Sequence, residues 1–142
     1  MEYGATVMSV FTRLFNRLGG YDQLAARYPC PSEPQGLRYD RQSVEFGGAM
    51  RYKWCTTVIL APEGLYVQAR PPGQGVQPAI FVPWADIVRV DPVRLYWRKA
   101  ARATCGTPLV GSITVWQAVW EAASGLWAAR QAPPPPPPAR PS

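Results

Sequence analysis

The chain has 142 residues, 47% of them hydrophobic and 17% charged, with a formal net charge of +6. That length carries one hydrophobic core rather than two, and that apolar content excludes a chain disordered throughout. Histidine is absent altogether, which removes Ser-His-Asp and Cys-His catalysis, His-ligated zinc and the commonest general base. Setting aside Arg130 and Arg140 near the C-terminus leaves a charge of +4 for the rest, a mild bias toward anionic partners.

Residues 5–18 carry helical periodicity: Val7, Val10, Phe11, Leu14, Phe15 and Leu18 recur at 3 and 4, Arg13 and Arg17 take the other face, and Gly19-Gly20 ends the pattern. This amphipathic segment, residues 1–20, is expected either to pack on the domain or a partner, or to lie in a membrane interface with its arginines near head groups. A second, short helix is expected from Tyr21 to Tyr28, stopped by Pro29. The stretch from Pro29 to Gly36 holds three prolines and reads as a loop.

Strand patterns follow. Gln42 to Phe46 alternates, and Gly47-Gly48 makes a turn. Met50 to Leu60 is the longest β-like run, with Met50, Tyr52, Trp54, Thr56, Val58 and Leu60 expected on one face. Pro62-Glu63-Gly64 predicts a tight turn into a returning strand, Leu65 to Ala69. Pro71 to Pro78 is a loop, and Ala79 to Val82 another strand. Pro83 to Asp86 makes a turn or a single helical turn, and Ile87 to Val90 extends again. Asp91-Pro92 reads as a turn before a strand from Val93 to Trp97. That strand would set Arg94 and Tyr96 on one face against Val93, Leu95 and Trp97 on the other. The segment after Trp97 has no clear pattern until a possible last strand within Pro108 to Val115. Trp116, Val119, Trp120, Ala123 and Trp127 then form a helical aromatic stripe, with Thr114 and Gln117 offering a capping box. Six prolines, Pro133 to Pro138, predict an extended tail over 130–142 that could meet SH3-like modules or simply be disordered.

The expected fold is α+β and β-rich: short strands joined by turns argue for an antiparallel barrel or sandwich over residues 21–129, with N-terminal helices before it and the Trp-striped C-terminal helix after the strands. Two stretches resemble a known group. They are Glu63-Gly64-Leu65-Tyr66-Val67 and Pro78-Ala79-Ile80-Phe81-Val82-Pro83-Trp84-Ala85-Asp86-Ile87, preceded by Asp22-Gln23-Leu24-Ala25-Ala26-Arg27-Tyr28-Pro29. The pattern resembles small, uncharacterised bacterial proteins similar to pleckstrin-homology-like (PH-like) domains, over residues 20–95, with Ala85 standing where that pattern has serine. The resemblance implies a strongly bent sheet closed at one end by a C-terminal helix, and implies no activity.

Candidate chemistry is sparse. Cys30, Cys55 and Cys105 have no metal or redox spacing, and their odd number argues against a disulfide framework. The nine carboxylates are scattered singly, with Asp86 and Asp91 in turn contexts, and Gly73 and Gly75 fit no phosphate-binding loop. No catalytic residue, cofactor or metal site is therefore expected. The strongest functional candidate is a basic stretch of Arg89, Arg94, Arg98, Lys99 and Arg102, with Tyr96 and Trp97 among it and Arg51 and Lys53 able to extend it. It would meet phosphates or anionic head groups, unless these are ordinary surface arginines. The expected function is a non-catalytic binding or scaffolding module with a protein partner; the alternative is an anion-binding module for lipid head groups or nucleic acid, nucleic acid being the less favoured partner. No segment is apolar for long enough to span a membrane, and the N-terminus lacks a secretory signal pattern. The expected location is the cytoplasm, with a peripheral place at an anionic membrane as its variant.

Overall fold

The computed structural model describes residues 20–48 and 50–131. The expected amphipathic helix over 5–18 and the proline run lie outside them. Helix α1 (Tyr21–Arg27) leads into strands β1 (Leu37–Phe46), β2 (Met50–Leu60), β3 (Gly64–Ala69) and β4 (Ile80–Pro83). A single 3-10 turn (Trp84–Asp86) then leads to β5 (Ile87–Leu95), β6 (Arg98–Cys105), β7 (Gly111–Trp116) and helix α2 (Gln117–Gln131). The seven strands form one antiparallel sheet in the order β4-β3-β2-β1-β7-β6-β5. The sheet bends into a half-barrel with α2 at its end.

The bend has local causes. Gly47 and Gly48 take φ of 68° and 82°, values that cost little without a Cβ, and reverse the chain between β1 and β2. Further along this pair, two register shifts interrupt the ladder, one between Tyr39 and Gln42 and one between Gln42 and Val44. Arg41 and Trp54 sit at these irregularities with φ of 53° and 58°. Extra residues at a bulge increase strand twist and bend, so β1 serves β2 along most of its length and β7 only at Glu45 and Phe46.

The concave face is filled by Val58, Leu60, Val67, Val82, Ile113 and Val115, all buried. Trp84 is fully buried, donates its indole N–H to the Ala61 carbonyl at 2.8 Å, and meets the Trp120 ring edge-on at 6.5 Å. Burying a ring that large dominates the local energetics, provided its N–H finds an acceptor. Helix α2 turns Val119, Trp120 and Ala123 onto this core. It is tied down by Trp127 Nε1 donating to the Ile87 carbonyl at 2.7 Å and Gln131 Nε2 donating to the Trp84 carbonyl at 2.6 Å. Helix α1 contributes buried Tyr21 and Leu24, the Tyr21 ring packing edge-on against Phe46 at 4.8 Å. Its hydroxyl accepts from the Ala69 backbone N–H at 3.2 Å and donates to the Pro78 carbonyl.

Several local expectations change. Asp91-Pro92 is no turn, because β5 runs straight through it, with Asp91 opposite Arg102 and Pro92 opposite Ala101. An edge strand can hold a proline, since the missing N–H has no second neighbour to serve. The turn lies at Tyr96-Trp97 instead, so Tyr96 and Arg94 do not share a strand face. The patternless stretch after Trp97 is strand β6, in which Ala100, Ala101 and Ala103 are buried. Alanines carry little strand propensity, yet small side chains suit a strand enclosed between β5 and β7. Thr114 is no helix cap: it lies within β7, and its buried Oγ1 has no partner among the described residues. Trp116 likewise ends β7 rather than joining the helical stripe.

Candidate functional site

The β5–β6 hairpin closes on a two-residue turn, Leu95 facing Arg98 across its mouth. Tyr96 and Trp97 both have positive φ, 47° and 67°. Two-residue hairpin turns of this hand usually use Asn or Gly, and a large residue held there stores strain. Trp97 is also 92% exposed. The fold thus holds a strained tryptophan in water at a hairpin tip and gains almost no packing from it.

Register divides the predicted basic stretch between two faces. Arg94 and Lys99 are directly opposed on one face, where Arg94 Nη1 donates to the Trp97 carbonyl at 3.1 Å. They line an open groove of about 460 Å³ together with Gln117 and Glu121 of α2. Arg89, Arg98 and Arg102 belong to the other face, because each is an odd number of residues from Arg94 or Lys99 along its strand, allowing for the paired register.

On that outer face a row crosses five strands: Arg51, Glu45, Thr114, Arg102 and Asp91 are successive register partners. Glu45 is almost wholly buried and lies between Arg51 Nε at 2.7 Å and Arg102 Nη2 at 3.5 Å. Arg89 lies 2.9 Å from Asp91. Arg89 and Arg102 are therefore occupied by carboxylates, and Arg102 Nε, Thr114 Oγ1 and Ser112 Oγ are buried without partners among the described residues. This row is built as structure, with little charge left for a ligand.

Beside it, toward the hairpin tip, lies an aromatic–basic cluster. Trp116 is covered by Trp54 at 6.4 Å and Tyr96 at 6.5 Å between ring centroids, and the Arg98 guanidinium stacks 4.4 Å from its ring. Arg51 and Lys53 stand 5.3 Å and 5.2 Å from the Tyr96 ring. A cation over an aromatic face is attracted by the ring's quadrupole. The bulge places Trp54 here, 53% exposed, although simple alternation had set it with the core-facing residues of β2; Met50, at the start of that strand, is 45% exposed.

The structure does not bring the five predicted residues together as one patch. Arg94, Arg98 and Lys99 gather at the hairpin end; Arg89 and Arg102 are tied down farther along. Of the two cations on the long strand, Lys53 stands beside this group at the Tyr96 ring, whereas Arg51, near the same ring, is paired with Glu45. The sequence pattern places Trp97 within the basic stretch but as part of a strand, and does not single out Trp54 as a candidate.

Elsewhere, titratable groups are structural in setting. Burial pushes the Cys105 thiol up to about 12, with Asp86 adding to the effect, and burial also raises Cys55. Arg38, then the Thr57 hydroxyl, hold the Asp40 carboxyl below the ordinary carboxylate range. Tyr28 is raised by burial and by its 3.0 Å hydrogen bond to Asp86 Oδ2. Among the described residues no three His, Cys, Asp or Glu side chains gather as a metal site, and no helix is long and apolar enough to cross a membrane.

Comparison with protein-family models, with curated proteins and with solved structures finds no match to this chain. The fold and the surface together define a β-rich half-barrel with a C-terminal helix and an aromatic–basic hairpin end.

Proposed function

We propose that this protein is a non-catalytic binding module of PH-like type that engages a larger partner through the β5–β6 hairpin end. The PH-like reading is supported by the strongly bent antiparallel sheet and by α2 packing against its core, the two features the sequence resemblance implies. The binding reading is carried by one observation: Trp97 is 92% exposed while occupying a backbone conformation unfavourable for its residue type. A fold does not need such a residue, whereas a contact surface does.

A photo-cross-linking amino acid at position 97, with one at exposed Ala122 on α2 as reference, tests this in cells that express the protein. Adducts formed at 97 and not at 122 are expected. Equal or absent labelling at 97 would overturn the reading.

The alternative, an anion-binding surface for lipid head groups or nucleic acid, is favoured by a separate observation. Arg94 and Lys99 face each other across the hairpin beside a groove, and neither has a carboxylate within ion-pair distance among the described residues. Its working residues would be Arg94, Arg98 and Lys99, without Arg89 and Arg102. Charge-driven binding must fall with rising salt; salt-independent binding would remove this reading.

A further inference from the structure

We propose that the hairpin end docks on a bilayer bearing anionic lipids, with Trp97 entering the head-group region and Lys53, Arg94, Arg98 and Lys99 contacting the lipid charges. This rests on the binding reading above and specifies its partner.

Shape separates the possible partners first. Trp97 stands at the apex of a two-residue turn with 92% of its surface in solvent, so the surface is convex. Protein interface anchors sit in well-packed settings that a partner seals from water, and a single-stranded nucleic acid needs a groove in which bases stack in succession. A lone projecting indole supplies neither. It does suit a bilayer interface, where tryptophan places an apolar ring and a polar N–H at the head-group level. Trp54, 53% exposed, gives a second apolar contact on the same rim, since Trp54 and the turn residue Tyr96 both pack on Trp116.

Charge supplies the second argument. Arg94, Arg98 and Lys99 lie within three residues of Trp97, and Lys53 reaches the Tyr96 ring. Glu45 is already shared by Arg51 and Arg102, and Glu121 lies in the groove on the helix side. The tip itself therefore presents cations without an opposing carboxylate. Each cation held near an anionic surface adds to binding, and the attraction is screened within a Debye length.

The test is flotation of the full chain with vesicles of phosphatidylserine and phosphatidylcholine, against vesicles of phosphatidylcholine alone. Binding to the mixed vesicles only is expected, weakening as salt rises. Arg98→Gln with Lys99→Gln should lower partitioning by about thirtyfold, and Trp97→Ala by about tenfold. Since Trp97 is exposed, that variant should keep the wild-type unfolding midpoint or exceed it, which separates lost binding from lost folding. No flotation with the anionic vesicles, or flotation indifferent to both variants, would overturn the proposal. If flotation fails while position 97 cross-links to a protein, the bilayer is wrong and the binding module stands; if position 97 cross-links to nothing, both fall.

Discussion

Replacing Trp97 with glycine should stabilise the protein and weaken its binding together. The native φ of 67° lies in the left-handed region, where a non-glycine residue costs about 1–3 kcal/mol. Glycine relieves that cost but adds about 0.5–1 kcal/mol of unfolded-state entropy to be overcome. Little packing is lost, because the side chain is 92% exposed. The Arg94 hydrogen bond survives, because its acceptor is the backbone carbonyl of residue 97. The balance is a gain of about 1 kcal/mol, read as a higher urea midpoint with an unchanged slope in circular dichroism. Binding to anionic vesicles should fall in the same variant. A loss of stability would show that Trp97 packs against something in the native state, and the case for a surface held ready for a partner would then collapse.

Other consequences follow from the interior. Trp84→Ala should cost about 3–5 kcal/mol, since it empties the site between the sheet and Trp120 and orphans the Ala61 carbonyl; a loss below about 1 kcal/mol by chemical denaturation would mean α2 does not close the core. Glu45→Gln should destabilise by about 2 kcal/mol, less than a fully buried ion pair because Arg51 and Arg102 are partly exposed; an unchanged midpoint would deny the cross-strand row a structural role. Cys105 and Tyr21 both have folded values near 12, above their ordinary 9.0 and 10.0. The fold keeps protons that the unfolded chain releases, so their contribution is complete below pH 9 and declines as pH rises toward 12; Tyr21→Phe should flatten the part above pH 10, and stability rising with pH in that window would contradict the burial. At neutral pH a thiol reagent should label the half-buried Cys30 and Cys55 in the native protein and reach buried Cys105 only on unfolding; rapid labelling of all three would place Cys105 at the surface.

Much of the sheet was legible because its strands alternate and its turns carry glycine or proline. Met50 to Leu60, Leu65 to Ala69 and the Trp84 turn stand where residue type placed them. Legibility failed where a local rule met a tertiary exception. Pro92 signals a turn in isolation, and only its position on a sheet edge permits it inside β5. Alanines and arginines conceal β6, whose strand character comes from the neighbours on both sides. The candidate site was legible as a list of cations but not as a surface. Pairing register decides which arginines meet carboxylates, and Glu45 lies more than 50 residues from Arg102 in sequence. The bulge that swings Trp54 beside Trp116 leaves no mark in the alternation of β2. Tyr96 and Trp97, good strand formers both, gave no hint that they form a turn.

Amide hydrogen exchange of the whole chain, with and without phosphatidylserine-containing vesicles, probes the docking surface most directly. Slower exchange confined to residues 53–54 and 94–99 is the expected result. Slowing over α2 or the β3–β4 edge, with the hairpin unchanged, would place the working surface elsewhere and contradict the assignment.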